Sequence, residues 1–155
     1  MIWRELSVIA ILSLYTILIF VSIFILLLSK KEDDIRDFIL TEKISIVIPF
    51  RNEAENIQAC LEGVIQQDYP GQLMEIILVD DNSEDNSKQL ALDIIRDTNI
   101  TYRLIDLKEQ HALGKKTAIE LAVSQSTGSI IVTRDADTVT KNNLWLKSIA
   151  CRFKH

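Results

Sequence analysis

Beyond residue 43 the chain alternates short apolar runs with segments whose apolar residues recur every three or four positions. Ile44–Phe50 is one such run, and residues 75–80, 100–107 and 129–134 repeat it, which predicts strands buried on both faces. After the first run, Ile57, Cys60, Leu61, Val64 and Ile65 make an i, i+3, i+4, i+7, i+8 stripe that predicts a helix over 53–67. Tyr69-Pro70-Gly71 then breaks the chain. Ser83 stands where it would cap a second helix with Leu90, Ala91, Ile94 and Ile95 on its inner face. Gly114 opens a third, carrying Ala118, Leu121 and Ala122 and ended by Gly128, and residues 142–153 make a fourth. The β-α-β-α-β-α-β-α order predicts an α/β fold with a mostly parallel sheet and helices on both faces.

The first thirty residues follow a different rule. From Leu6 to Leu28 no charged residue occurs, and these 23 residues at a helical rise reach ~34 Å, enough to cross a bilayer core of about 30 Å. A signal peptide fits less well, because the apolar run exceeds a signal core, Glu5 weakens the basic start and no small-x-small cleavage site follows. The domain expectation is therefore a transmembrane helix over 6–28, a linker over 29–42 and an α/β domain over 43–155. Lys30, Lys31 and Arg36 follow the span while Arg4 precedes it, which places the α/β domain on the cytoplasmic side of a single-pass membrane protein.

Composition narrows the partners. A formal net charge of −5 and the lack of a basic run in the α/β part argue against nucleic acid. Cys60 and Cys151 lack metal-ligand spacing, and Cys60 falls on the apolar stripe, where it acts as a small hydrophobe. Neither a Walker pattern nor Gly-x-Gly-x-x-Gly is present, so any phosphate must be neutralised by a metal and by side chains such as Lys115 or Lys116.

Three polar clusters end three of the apolar runs. The first strand ends in Pro49-Phe50-Arg51-Asn52-Glu53, the second in Asp80-Asp81-Asn82-Ser83 and the fourth in Asp135-Ala136-Asp137. Ligands of open α/β sheets bind outside the carboxyl ends of the strands, where strand order reverses. If the order is 3-2-1-4, all three clusters rim one crevice. Clustered carboxylates repel one another and call for a cation or a hydrogen-bonding ligand. Asp137, helped by Asp135, would hold Mg²⁺ or Mn²⁺ together with substrate phosphates. Asp80 and Asp81, one strand further away, suit the N–H and O–H groups of a nucleoside.

Taken in order, Ser45-Ile-Val-Ile-Pro-Phe-Arg-Asn-Glu53, Ile77-Leu-Val-Asp-Asp-Asn-Ser83, Gly114-Lys115-Lys116 and Asp135-Ala-Asp-Thr138 resemble the family 2 glycosyltransferases of GT-A fold over residues 43–153. The resemblance implies a nucleotide-sugar donor, a divalent metal and inversion at the anomeric carbon, with a lipid-linked or polysaccharide acceptor at the membrane. It implies that Pro49 and Glu53 line the base and ribose side, and that Asp81, with Asp80, accepts from the nucleobase, typically uracil. Lys115 would lie near the phosphates or ribose, Asp135 on the ribose or sugar side, and Asp137 on the metal. Members of the family carry a later acidic general base with no match here, so the expectation is a donor-binding half truncated at its C-terminus. His111 and His155 are not assigned that role.

Two alternatives make different predictions. A catalytically incomplete fragment would bind the donor and transfer nothing. A receiver domain, whose acidic pair Asp80-Asp81 resembles, would take a phosphoryl group; its pair follows the first strand, whereas this one follows the second.

Overall fold

Ile44–Phe50 forms β1, and its seven side chains are all buried, as a strand covered on both faces requires. The computed structural model describes residues 12–24, 39–108, 114–140 and 142–153, and the chain divides into two units, 1–34 and 35–155.

In the first unit residues 12–24 are helical (α1), with every side chain exposed, from Leu12 to Phe24. The Thr16 hydroxyl turns back to the Ser13 carbonyl at 2.8 Å, removing its donor from the helix surface. No helix among the described residues is long and apolar enough to cross a membrane; the remainder of the expected 6–28 span lies outside the described residues.

In the second unit the chain runs β1, α2 (Ile57–Ile65), a 3-10 turn (Gly71–Leu73), β2 (Met74–Asp80), α3 (Ser87–Arg96), β3 (Thr101–Asp106), α4 (Lys115–Gln125), β4 (Ile130–Thr133) and α5 (Trp145–Phe153). The strands form one sheet in the order β3-β2-β1-β4, every pair parallel. Side-chain alternation divides the core between its two faces. Ile44, Ile46, Ile48 and Phe50 of β1 pack with Met74, Ile76 and Leu78 against α2, α3 and α5. Val47, Ile77, Val79 and Ile105 pack on the other face against Ala118 and Ala122 of α4.

Both helices that follow the first two strands begin later than the predicted start at residue 53 and the predicted cap at Ser83. α2 starts at Ile57 instead of residue 53, and α3 at Ser87, so Ser83 is not its cap. The reason is competition for backbone donors. The amides of Asn52, Glu53 and Ala54 donate to Ser83 Oγ, Ser87 Oγ and Asp85 Oδ2 at 3.0, 2.7 and 3.1 Å. Glu84 N–H returns to Asn52 Oδ1 at 2.8 Å, and Asn52 and Asn82 both take positive φ, which asparagine tolerates. Ser87 also donates to Asp85, and with that bond as the main cause the Asp85 carboxyl is held below its ordinary pKa. The two loops therefore behave as one hydrogen-bonded rim.

At the opposite end of the sheet Gly128 N–H donates to Ser45 Oγ at 2.8 Å. A Cβ at 128 would sit 2.6 Å from Ser45 N and 2.7 Å from the Lys43 carbonyl, contacts with backbone that cannot swing away. Gly128→Ala is expected to destabilise the domain by about 1–3 kcal/mol through this overpacking. Urea unfolding of the full chain in detergent, read by near-ultraviolet circular dichroism, checks it.

Candidate functional site

The crevice at the carboxyl ends arises from the strand order. From β1 the chain steps outward to β2 and β3, then returns to place β4 on β1's other side, so β1 and β4 flank the switch point. Register aligns the strand ends: Phe50 lies opposite Asp80, and Asp80 opposite Asp106. β4 stops early, with Thr133 beside Val47 and Arg134 N–H donating to the Val47 carbonyl at 2.9 Å. Two residues on, Pro49 has no N–H, and by strand alternation its nitrogen faces the side that β4 has left. A proline is thus accommodated in a central strand, and the gap beside it is the opening of a cavity.

That cavity, of about 220 Å³, is lined by Pro49, Phe50, Arg51, Glu53, Asp81, Lys115, Asp135, Ala136 and Asp137. Six of the seven residues singled out from sequence meet there. Asp80 does not. Period two along β2 puts it on the side of Ile76 and Leu78, where it is 3% exposed and its Oδ1 accepts from Ser83 N–H at 2.9 Å. It ties the turn that presents Asp81.

The other side chains are held by the loops. Asp81 Oδ1 accepts from Gly114 N–H at 3.0 Å, linking β2 to the start of α4. Gly114 has φ +94°, a conformation that favours glycine. Glu53 Oε2 accepts from Asn56 Nδ2 at 2.7 Å. Lys115 Nζ donates to Asp135 Oδ1 at 2.6 Å, with the two side chains 62% and 54% exposed. At that exposure the pair contributes under about 1 kcal/mol, so an incoming ligand separates it at little cost. Lys116 points elsewhere and meets Glu120 at 3.8 Å, while His111 lies outside the described residues. Arg51 was given no role by motif reasoning; its signal is that it is the one cation within the Pro49–Glu53 cluster.

The donor set fits a hard divalent cation of the kind that keeps open positions. Asp137 is exposed into the cavity and, among the described residues, makes no hydrogen bond or ion pair, and Asp135 is two residues away. No group of three or more His, Cys, Asp or Glu side chains converges among the described residues. One or two carboxylates completed by substrate phosphates is the usual Mg²⁺ or Mn²⁺ arrangement, in contrast to a cage made by protein alone. Beneath the turn, Cys60 is fully buried and its Sγ lies 3.7 Å from the Asp135 carbonyl. Burial pushes its thiol above the ordinary pKa, so it stays a neutral packing group.

The order β3-β2-β1-β4 excludes the receiver alternative, whose sheet sets the third strand beside the first. Asp106, at the end of β3, is engaged by Lys88 Nζ at 2.5 Å. A sequence profile described as "Glycosyl transferase family 2" matches residues 45–155. The chain belongs to this family.

Relatives and solved structures agree with this family 2 domain. The glycosyltransferase AglE of Haloferax volcanii is 35% identical over 105 residues, covering 67% of this chain and 33% of that protein. An undecaprenyl-phosphate 4-deoxy-4-formamido-L-arabinose transferase of Yersinia pestis is 37% identical over 97 residues, 62% of this chain and 29% of that one. In structure, the family 2 domain resembles the mannosyltransferase PcManGT of Pyrobaculum calidifontis in complex with GDP-Man and Mn²⁺. That match has a TM-score of 0.67 and 25% identity over 74% of this chain and 33% of the other. S. aureus TarS 1-349 in complex with UDP-GlcNAc matches at 0.63 and 25% over 70% of this chain and 30% of that one. The α/β architecture with its parallel four-stranded sheet is that of the GT-A fold. The chain spans about a third or less of the length of the relatives it matches.

Proposed function

We propose that the 220 Å³ cavity is the donor site of a hexosyltransferase-type glycosyltransferase that takes a sugar from a nucleoside diphosphate, a UDP-sugar, to a lipid-linked or polysaccharide acceptor. The observation that carries the reading is the meeting of Pro49, Glu53, Asp81, Lys115, Asp135 and Asp137 around one cavity at the switch point. Asp81 accepts from the nucleobase, Pro49 and Glu53 line the base and ribose side, and Asp135 lies toward the ribose or sugar. Lys115 and Arg51 are the cations available to the diphosphate. Asp137, with Asp135, would hold Mg²⁺ or Mn²⁺, which when bound supplies Lewis-acid neutralisation of the departing diphosphate. Inversion at the anomeric carbon follows from the family resemblance.

The exposed apolar side chains of α1 and the charge-free 6–28 segment support a membrane anchor, and Lys30, Lys31 and Arg36 after it support the cytoplasmic side for the α/β domain. Such a location suits a lipid-linked acceptor, and the transferase of Yersinia pestis is named for an undecaprenyl phosphate.

Calorimetry of the full chain in detergent tests the donor reading. UDP is expected to bind with Mn²⁺ present, and Asp81→Asn to weaken that binding roughly 10- to 100-fold, the equivalent of about 1.5–3 kcal/mol for a hydrogen bond to a charged acceptor. The substitution keeps an oxygen for Gly114 N–H, so the α4 anchor survives. Absence of nucleotide binding with either Mg²⁺ or Mn²⁺ would sink the reading.

A further inference from the structure

Arg134 immediately precedes the acidic turn, and it is 8% exposed although it carries a full positive charge. A buried guanidinium is costly unless it is paired or well hydrogen-bonded. Among the described residues it forms no salt bridge. Its terminal nitrogens instead reach across the turn. Nη1 donates to Thr140 Oγ1, Nη2 donates to the Thr138 carbonyl at 2.7 Å, and the guanidinium carbon lies 5.2 Å from the ring centroid of Trp145 on α5.

The same turn is closed from inside. Thr138 donates its N–H and its hydroxyl to the Asp135 carbonyl at 3.2 and 2.6 Å. Ala136, 3% exposed, packs into the core between two exposed carboxylates and keeps the turn from rolling. Below the turn the buried Cys60 Sγ lies 3.7 Å from the Asp135 carbonyl, and Arg134 is the residue next to Asp135 in the chain. A neutral side chain could fill this space without the desolvation cost. A fixed cation here lowers the repulsion between two carboxylates that must face one ion.

We propose that Arg134 is a positioning residue: its planar fork holds residues 135–140 closed against Trp145, so that Asp135 and Asp137 present both carboxylates to one divalent cation. The inference rests on the reading of Asp137 as the metal ligand. Lysine would keep the charge and lose the fork, since one ammonium cannot span two acceptors and stack on an indole as a guanidinium does.

The test measures Mn²⁺ binding to the full chain in detergent with UDP present, from the paramagnetic resonance signal of free Mn²⁺. Metal-free UDP affinity and the melting temperature are measured alongside. Arg134→Lys and Thr140→Val are each expected to weaken Mn²⁺ binding roughly 10- to 100-fold, as loss of groups that orient metal ligands does. Metal-free UDP binding should stay at the wild-type value. Asp137→Asn serves as the reference. Loss of Mn²⁺ binding in that variant, with wild-type binding in both others, overturns the positioning role and leaves the metal reading intact. Equal Mn²⁺ binding by wild type and Asp137→Asn overturns the metal reading and the positioning role with it. Should Arg134→Lys fail to fold, Thr140→Val decides alone, because it removes one acceptor and no buried charge.

Discussion

Asp137→Asn is expected to abolish metal-dependent nucleotide binding. Asp137 is exposed, lines the cavity and has no protein partner among the described residues, so its carboxylate is available to a cation at no cost to the fold. An asparagine keeps the shape and removes the charge that a hard cation needs. Changes to groups that merely orient a ligand cost 10- to 100-fold in metal affinity, so loss of a ligand itself should cost at least on the order of 100-fold. Stability should stay within about 0.5 kcal/mol of wild type, as for other exposed substitutions. Calorimetric titration of Mn²⁺ into the UDP-saturated chain, with a parallel melting curve, separates the two effects. A variant that binds Mn²⁺ as wild type does would remove Asp137 from the site.

Glu75→Ala is expected to be the most damaging single change to stability away from the site. Glu75 is fully buried at the amino end of β2, with Oε2 accepting from Ser45 Oγ at 2.5 Å and from Thr127 N–H and Oγ at 2.8 and 3.0 Å. Its Oε1 makes no hydrogen bond and lies 3.7 Å from Arg103 Nε. Removing the carboxylate takes the acceptor from the buried Ser45 hydroxyl and from both Thr127 donors and leaves a cavity at a fully buried position, a loss of about 3 kcal/mol from a domain whose total is about 5–15. The exposed Lys116–Glu120 pair at 3.8 Å should by contrast contribute about 0.5 kcal/mol or less.

Glu75 also sets a pH dependence. Burial pushes its pKa up, but the hydrogen bonds from Ser45 and Thr127 outweigh burial and the net shift is downward. The folded state therefore binds the proton less readily than the unfolded state, where a glutamate titrates near ~4.3. Its stabilisation is fully present above that value and fades as pH falls through the lower folded pKa. Denaturant midpoints taken from about pH 6 down to 3 should fall in wild type and run flatter in Glu75→Gln. An equal slope in both would assign the acid sensitivity to other carboxylates.

Several features were legible along the chain for a plain reason. Central strands must be apolar throughout and helices must carry a stripe, so the elements announce themselves within a few residues of their ends. Burial on both faces holds for β1 and β2 only, because β3 and β4 lie at the sheet edges, where Thr101, Arg103 and Ile131 are exposed. The β3-β2-β1-β4 order agrees with the 3-2-1-4 arrangement that puts the three polar clusters on one rim. Helix starts were less legible, because Asn52, Glu53 and Ala54 give their amides to side chains some thirty residues away. The distinction between Asp80 and Asp81 was available in principle from strand parity. Adjacency in sequence hid it, since neighbouring residues on a strand point to opposite faces.

By itself the sequence determined the α/β class, the positions of the strands, the apolar N-terminal segment and the acidic and basic residues from which a donor site can be built. These depend on local spacing and hydrophobicity, which any stretch of chain carries with it. Tertiary structure alone decided that Asp80 ties its turn by accepting from Ser83 N–H, that Asp81 meets Gly114, that Lys115 meets Asp135, and that Arg134 bonds Thr138 and Thr140 and stacks on Trp145. Each of these depends on where a distant segment arrives in space, and that is set by how β4 pairs with β1 and how α5 packs on the sheet.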